Sequence, residues 1–137
     1  MSDIKYLARI HSSPERTYQA LTNAEDIRRW WVRSAVLDSG IGALGELGSA
    51  EGETRMKLDE VTPPTRVSWR TVSSGEPGWD GTTITFDLRA EEGVTLLLLA
   101  HRGFSRADKG YEETAKGWAR DLLSLHRYLE TGEGRPH

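Results

Sequence analysis

The C-terminal part of the chain carries one long amphipathic stripe. Its apolar side chains recur at steps of four and three residues, the spacing of one face of an α-helix, and they are Tyr111, Ala115, Trp118, Leu122, Leu125 and Leu129. A helix from about residue 108 to 131 is roughly 35 Å long at 1.5 Å per residue. It needs an apolar partner surface of similar length, and the β-rich sequence before it is the only candidate.

The residues on either side of this stripe are typical of helix ends. Ser105 and Asp108 have the spacing of a capping box at the start, and Gly132 ends the helix. The segment 132–137 contains glycine and proline but no apolar pattern. We expect it to be a loose, flexible tail.

The sequence before this helix predicts a series of strands. In most of them apolar and polar residues alternate with a period of two. The predicted strands cover residues 4–11, 34–37, 53–62, 66–72, 82–89 and 94–101. Pro63 and Pro64 form a turn between two strands, because neither can donate a hydrogen bond to a sheet. The tight turn at 91–93 joins the last two strands as a hairpin.

Two short helices are predicted between the first strand and the second. Ser13 caps the first, and Pro14 suits its first position because its missing N–H has no partner there. Asn23 caps the second, whose first turn carries two acidic residues. The order of elements predicts one α+β domain over residues 1–137, with a curved antiparallel sheet wrapped around the long C-terminal helix.

Composition excludes several classes of function. The chain has 18 basic and 21 acidic residues, a net charge of −3, which argues against nucleic acid or an anionic membrane as the main partner. It has no cysteine, so disulfides, thiolate metal sites and cysteine nucleophiles are excluded. Its histidines are too far apart for the usual spacing of metal ligands, and we expect neither a metal nor another cofactor.

Sequence signals for targeting and for common enzyme classes are missing. The longest apolar run, 94–100, is far too short for a membrane span, and the N-terminus has no apolar signal region, so we expect a cytoplasmic protein. The glycines at 40–48 do not match a nucleotide-binding loop. No GxSxG or HExxH motif occurs either.

Several stretches, in the same order along the chain, resemble one known family. They are Ser13–Thr22 followed by Ile27–Trp31, then Glu60–Trp69, His101–Phe104, and the helix from Gly117 to Gly132. Together they resemble the AHSA1-like branch of the START/SRPBCC superfamily, which has the helix-grip, or Bet v 1-like, fold. The segment 38–53 is short and glycine-rich, and it departs from the family's pattern at the expected rim of the cavity.

The resemblance implies a cavity between the sheet and the C-terminal helix that binds small apolar or amphipathic molecules. The inward-facing positions supply the candidate ligand-binding residues, which are Trp30, Met56, Trp69, Phe86, Leu97, Leu99, His101, Trp118 and Leu122. Large aromatic side chains also serve packing, so solid core is the alternative for each tryptophan. Trp79, in a predicted loop, is a candidate cavity lid or interface residue unless it folds back onto the domain.

Three functions are consistent with this pattern. We favour a non-catalytic protein that binds a small apolar molecule, with His101 fixing the ligand's orientation. The first alternative is a polyketide cyclase or dehydratase that uses His101 and Glu60 as acid or base. For His101 the other interpretation is a structural one, in which the imidazole is bonded to a backbone carbonyl near the sheet edge. The second alternative is an Hsp90 co-chaperone. We expect this function less, because 137 residues leave no room for the additional domain of the eukaryotic activators.

The outer face of the predicted sheet carries apolar residues that could contact a second copy of the chain. If Leu97, Leu99 and His101 face inward, then Leu96, Leu98 and Ala100 face outward. Such a face is more apolar than a monomer requires, although single surface leucines are common. The pattern predicts a homodimer that uses this face.

Overall fold

The computed structural model describes residues 2–38, 40, 42–50, 52–104 and 109–137. The predicted capping box at Ser105 and Asp108 lies outside the described residues. The elements in chain order are β1 (Ser2–Ile10), α1 (Pro14–Thr22), α2 (Ala24–Trp30), β2 (Ser34–Leu37), β3 (Leu44–Ser49), β4 (Gly52–Thr62), β5 (Arg66–Ser74), β6 (Thr83–Glu91), β7 (Val94–Phe104) and α3 (Lys109–Thr131).

The strands form one antiparallel sheet of seven, in the order β1-β7-β6-β5-β4-β3-β2. The chain's first strand therefore pairs with its last, and β1 and β2 are the two edges. The sheet is curved, with α3 against its inner face. The predicted α+β architecture is confirmed.

The two short helices begin where the sequence predicts. Oγ of Ser13 accepts a hydrogen bond of 3.1 Å from the N–H of Arg16, and Oδ1 of Asn23 accepts one of 3.2 Å from the N–H of Asp26. Each cap satisfies a backbone donor that has no partner inside its helix. The caps fix the helix starts at Pro14 and Ala24.

The core lies between α3 and the inner face of the sheet. The α3 stripe buries Trp118, Leu122 and Leu125, as its spacing predicts. The inner face buries alternate residues of the strands, including Ile4, Val67, Trp69, Ile84, Phe86, Leu97 and Leu99. Burial of apolar area of this kind is the main favourable term in folding.

Strand β4 departs from simple alternation. Its pairing with β5 shifts register between Leu58 and Glu60, which marks a β-bulge. Leu58 pairs with Trp69 on the inner face, whereas Glu60 is exposed and lies 3.1 Å from Nε of Arg66. Strict alternation along β4 would place Glu60 on the inner face with Met56 and Leu58, but the extra residue reverses the direction of the side chains that follow. Glu60 therefore does not face the cavity, as its predicted acid–base role requires.

The C-terminal segment 132–137 is held against the domain. The backbone N–H of His137 donates to the carbonyl of Trp31 over 3.0 Å, and its own carbonyl accepts from the N–H of Arg33 over 3.2 Å. The N–H of Arg135 donates to Oγ of Ser124 over 2.6 Å. These contacts differ from the predicted loose tail and fix the segment beside α2 and α3.

Candidate functional site

The predicted ligand-binding residues meet in the core. Eight of them, all apart from His101, belong to one buried hydrophobic cluster, and they are Trp30, Met56, Trp69, Phe86, Leu97, Leu99, Trp118 and Leu122. His101 lies among them, with its ring centroid 6.1 Å from that of Trp118. The space between sheet and helix is therefore occupied largely by the protein's own side chains.

Aromatic rings fill the centre of this space. The indoles of Trp79 and Trp118 are nearly parallel, with centroids 6.2 Å apart and 9° between their planes. Trp31 also contacts Trp118, at 5.3 Å, and stacks on Trp30 at 5.4 Å. Trp79 thus folds back into the domain, where its Nε1 donates a 2.8 Å hydrogen bond to Oγ1 of Thr114.

His101 is fully buried and hydrogen-bonded at both ring nitrogens. Nδ1 accepts from Nε1 of Trp118 over 2.9 Å, and Nε2 lies 2.8 Å from Oγ1 of Thr82. Burial lowers the pKa of His101 to about 3, so the imidazole is neutral at physiological pH. Glu60 lies on the opposite face of the sheet, where it pairs with Arg66. The fold therefore keeps the two predicted acid–base residues apart.

An open pocket lies at one end of the core, beside Trp69. It has a volume of about 250 Å³ and lies between α1, the end of β2 and strands β4 and β5. Its lining consists of Tyr18, Thr22, Leu37, Asp38, Gly40, Leu58, Val61 and Trp69. We call it the Trp69 pocket.

Most of this lining was not predicted from the sequence. Leu58 and Val61 both reach the pocket because the β4 bulge lies between them. Tyr18 comes from α1, whose contact with β5 joins residues far apart in the chain. Alternation in β4 was the only available signal, and the bulge interrupts it.

The polar groups of the Trp69 pocket are better suited to orienting a bound ligand than to acid–base chemistry. The hydroxyl of Tyr18 donates to the carbonyl of Arg66 over 3.2 Å, and burial raises the pKa of that phenol. Oγ1 of Thr22 donates to the carbonyl of Tyr18 over 2.9 Å. Asp38, at the rim, is exposed. The walls themselves are apolar, and Phe86 supports Trp69 edge-on at 5.9 Å.

Two further properties hold for the described part of the chain. None of its helices combines the length and apolar character needed to cross a membrane. Its His, Asp and Glu side chains form no group of three that is placed to hold a metal ion.

The sequence matches a known family over most of its length. The family model for "Activator of Hsp90 ATPase homolog 1-like protein" matches residues 11–130. The chain belongs to this family. The AHSA1-like resemblance drawn from the N-terminal, Pro-Pro and C-terminal motifs is therefore confirmed. Among curated proteins, none matches this chain.

Solved structures place the AHSA1-like chain in the helix-grip fold. The solution structure of the Aha1 dimer from Colwellia psychrerythraea is 29% identical, with a TM-score of 0.87, and the match covers 98% of this chain and 100% of that one. Protein MLL2253 from Mesorhizobium loti is 21% identical, with a TM-score of 0.83, covering 94% and 97%. CalU16 from Micromonospora echinospora is 23% identical, with a TM-score of 0.78, covering 95% and 77%.

Proposed function

We propose that this AHSA1-like protein binds a small apolar or amphipathic molecule in the Trp69 pocket. The observation that carries the proposal is an open pocket whose walls are the apolar side chains of Leu37, Leu58, Val61 and Trp69. Removing a ligand's apolar surface from water contributes about 25 cal/mol per Å². The hydroxyl of Tyr18 and the rim carboxylate of Asp38 supply the few polar groups that orient a ligand in such a site.

The size of the pocket limits the ligand. Its 250 Å³ is slightly below the range of roughly 300–1,000 Å³ that is usual for small-molecule sites. A one- or two-ring molecule matches this volume better than a long acyl chain. The proposed site therefore lies at the end of the core beside α1, and not at the centre of the cavity, which Trp79 and Trp118 occupy.

Binding of 2-naphthol tests the proposal. We expect it to shift the indole N–H resonance of Trp69 in ¹H–¹⁵N spectra of the wild type. Val61→Phe fills the pocket and should weaken binding roughly tenfold, since it removes most of the contact area. Val72→Phe is the matched control, because Val72 is exposed on β5. Equal affinities for the two variants, or no response at Trp69, would contradict the proposal.

The enzymatic alternative has less support from the geometry. A cyclase or dehydratase needs an acid or base that touches its substrate. His101 is buried with both nitrogens engaged, and Glu60 is on the outer face beside Arg66. This arrangement favours a structural role for His101.

Action on Hsp90 is a second candidate function. It is supported by the family description and by the 29% identity with an Aha1 protein over nearly the whole chain. The test is the ATP hydrolysis rate of an Hsp90 from the same cells at increasing concentrations of this protein. A saturable change in rate supports this candidate, and a flat response rejects it. Val61→Phe separates the two functions, because only the ligand-binding proposal requires the pocket.

We also propose a second copy of the chain as a partner. Leu7 and Leu98 are 67% and 37% exposed and pair across β1 and β7 on the outer face of the sheet, with half-buried Leu96 beside them. The Colwellia psychrerythraea relative is a dimer. A second copy that covers these leucines would remove their apolar surface from water. The cytoplasmic location stays a prediction.

A further inference from the structure

The free edge of β1 borders a groove that the proposed function does not use. β1 pairs with β7 on one side only, because it is the first strand in the sheet order. An edge strand directs a row of backbone N–H and C=O groups away from its partner. For Ile4–Arg9, the described residues give these outward groups no hydrogen bond. Another extended backbone has donors and acceptors at the spacing that this edge requires.

Helix α3 runs beside this edge and forms the other wall of the groove. The hydroxyl of Tyr6 donates to the carbonyl of Ala115 over 2.8 Å, and Nδ1 of His11 lies 3.1 Å from Oε2 of Glu130. β1 and α3 therefore run in the same direction along the groove. It has a volume of about 400 Å³, and we call it the β1 groove. Its lining includes Leu7, Ala8, Arg9, Ala119, Leu123 and His126.

Both walls of the β1 groove expose a large apolar side chain. Leu7 on β1 is 67% exposed and Leu123 on α3 is 62% exposed. They are two of the three most exposed large apolar side chains among the described residues, and both line this groove. Single exposed leucines are common in soluble proteins. Two that face one groove from different elements form a patch that a partner can cover.

Basic side chains flank Leu7 along the outer side of β1. Lys5 and Arg9 are each two residues from Leu7, so all three point to the same face of the sheet. Lys5 is exposed and makes no ion pair with a described residue, and Nη1 of Arg9 lies 3.9 Å from Oε1 of Glu91. Side chains directly opposite on neighbouring strands interact, and opposite charges stabilise the pair. A complementary strand therefore has acidic residues opposite Lys5 and Arg9 and an apolar residue opposite Leu7.

A second copy of β1 does not have this pattern. Antiparallel pairing centred on Leu7 places Lys5 opposite Arg9 of the other copy, and like charges in such a pair are destabilising. Pairing centred on Tyr6 places Lys5 opposite Leu7 and leaves the lysine without a charged partner. The charges of β1 therefore favour an acidic strand from a different protein.

We propose that the β1 groove binds an extended segment of another protein in which two acidic residues flank three apolar ones. The segment pairs with β1 as an eighth strand of the sheet. Its central apolar side chain packs on Leu7, and its other two apolar side chains point towards Ala119 and Leu123 on α3. Its acidic side chains lie opposite Lys5 and Arg9. This proposal depends neither on a ligand in the Trp69 pocket nor on the homodimer.

A labelled peptide of sequence Ser-Glu-Val-Leu-Val-Glu-Ser tests the proposal by fluorescence anisotropy. Its pattern is symmetric, so it matches β1 in either direction. The control peptide has lysine in place of both glutamates. We expect the control to bind roughly tenfold more weakly, because its two charges lie opposite Lys5 and Arg9.

Methylation of the peptide backbone tests for strand pairing itself. Successive N–H groups of a strand point to opposite sides, so only alternate ones face β1. One peptide is N-methylated at the central leucine and a second at the valine that follows. One of the two should lose binding, and the other should keep its affinity within about twofold, because it loses only a donor that faces solvent.

Three variants of the protein test the site. Leu123→Ser should weaken binding of the glutamate peptide about fivefold, because it removes apolar contact area. Val36→Ser is the matched control, since Val36 is exposed on β2 at the opposite edge of the sheet. Leu98→Lys separates this site from the proposed dimer face, which shares Leu7. It should bind the peptide no more weakly than the wild type, since Leu98 lies on β7 and not on the free edge.

The proposal is overturned if the glutamate and lysine peptides bind equally, if both methylated peptides bind alike, or if no peptide binds at its solubility limit. Equal effects of Leu123→Ser and Val36→Ser also overturn it. Amide hydrogen exchange of the free protein tests the other occupant. Protection of the outward β1 amides that rises with protein concentration would assign the edge to a second copy and reject the proposal.

Discussion

The indole N–H of Trp118 on α3 donates a hydrogen bond of 2.9 Å to Nδ1 of His101 on β7. An indole nitrogen only donates, so Nδ1 carries no proton and the neutral ring holds its proton on Nε2. Nε2 therefore donates to Oγ1 of Thr82 over 2.8 Å. The imidazole joins the helix to the sheet only in this neutral form.

This arrangement makes stability depend on pH. The pKa of His101 is lowered by burial to about 3, against roughly 6.5 in an unfolded chain. Between these values the unfolded state binds a proton that the folded state does not, so acid favours unfolding. The free energy of unfolding should be unaffected by this group above pH 6.5 and fall by about 1.4 kcal/mol per pH unit below it.

His101→Gln should remove this dependence, although it lowers stability at pH 7. Urea unfolding at pH 7, 6 and 5 compares the wild type with His101→Gln and with His126→Gln, which changes a partly exposed histidine on α3. Wild type and His126→Gln should lose stability in parallel. A His101→Gln variant with the same slope as the wild type would show that His101 is protonated in the folded protein.

Hydrogen bonds join Tyr128 on α3 to Asp26 on α2 and Arg16 on α1, and we call these three side chains the clamp. The hydroxyl of Tyr128 donates to Oδ1 of Asp26, which also accepts a 2.8 Å bond from Nη2 of Arg16. The hydrogen bond to Asp26 raises the pKa of Arg16. Tyr128→Phe removes one donor from a buried carboxylate and should lower the free energy of unfolding by roughly 2 kcal/mol.

Tyr111→Phe is the matched control for the clamp. The Tyr111 hydroxyl donates to the carbonyl of Asp3 in an exposed position, where water replaces a lost partner. The expected loss is below about 1 kcal/mol. Chemical denaturation measures both variants, and equal losses would mean that the clamp adds nothing beyond a surface hydrogen bond.

Gly134 tests whether the C-terminal segment is packed. A Cβ at this position would lie 2.7 Å from the carbonyl oxygen of Arg29 and 2.9 Å from Cα of Trp30. Gly134→Ala forces backbone apart and should lower the free energy of unfolding by about 1–3 kcal/mol. Glu133→Ala, at an exposed neighbour, should have little effect. Identical urea midpoints for both variants would support the loose tail that the sequence predicts.

Leu98→Lys tests the proposed homodimer. A standard interface covers about 800 Å² per partner, and a lysine at its centre loses hydration without gaining a partner. Sedimentation velocity over a concentration series should show a dimer for the wild type and a monomer for Leu98→Lys. Val36→Lys, at an exposed position on β2 at the opposite edge of the sheet, should behave as the wild type. A wild type that stays monomeric at high micromolar concentration rejects the dimer.

Local patterns in the sequence determined most of the secondary structure. The stripe from Tyr111 to Leu129 predicted α3, and the caps at Ser13 and Asn23 predicted α1 and α2. Alternation predicted the hairpin of β6 and β7. These features were readable because each depends on residues within a few positions of one another.

Tertiary structure alone decided where open space remains. The sequence showed five tryptophans but not that Trp31, Trp79 and Trp118 occupy the centre of the groove, because close packing joins α2, the β5–β6 loop and α3 across long stretches of chain. The β4 bulge turned Glu60 outward and brought Val61 to the Trp69 pocket. The periodicity of apolar residues does not show where a bulge occurs or how much volume a side chain from a distant segment fills. The sequence pattern therefore determined the helices and strands, and only their packing determined the pockets.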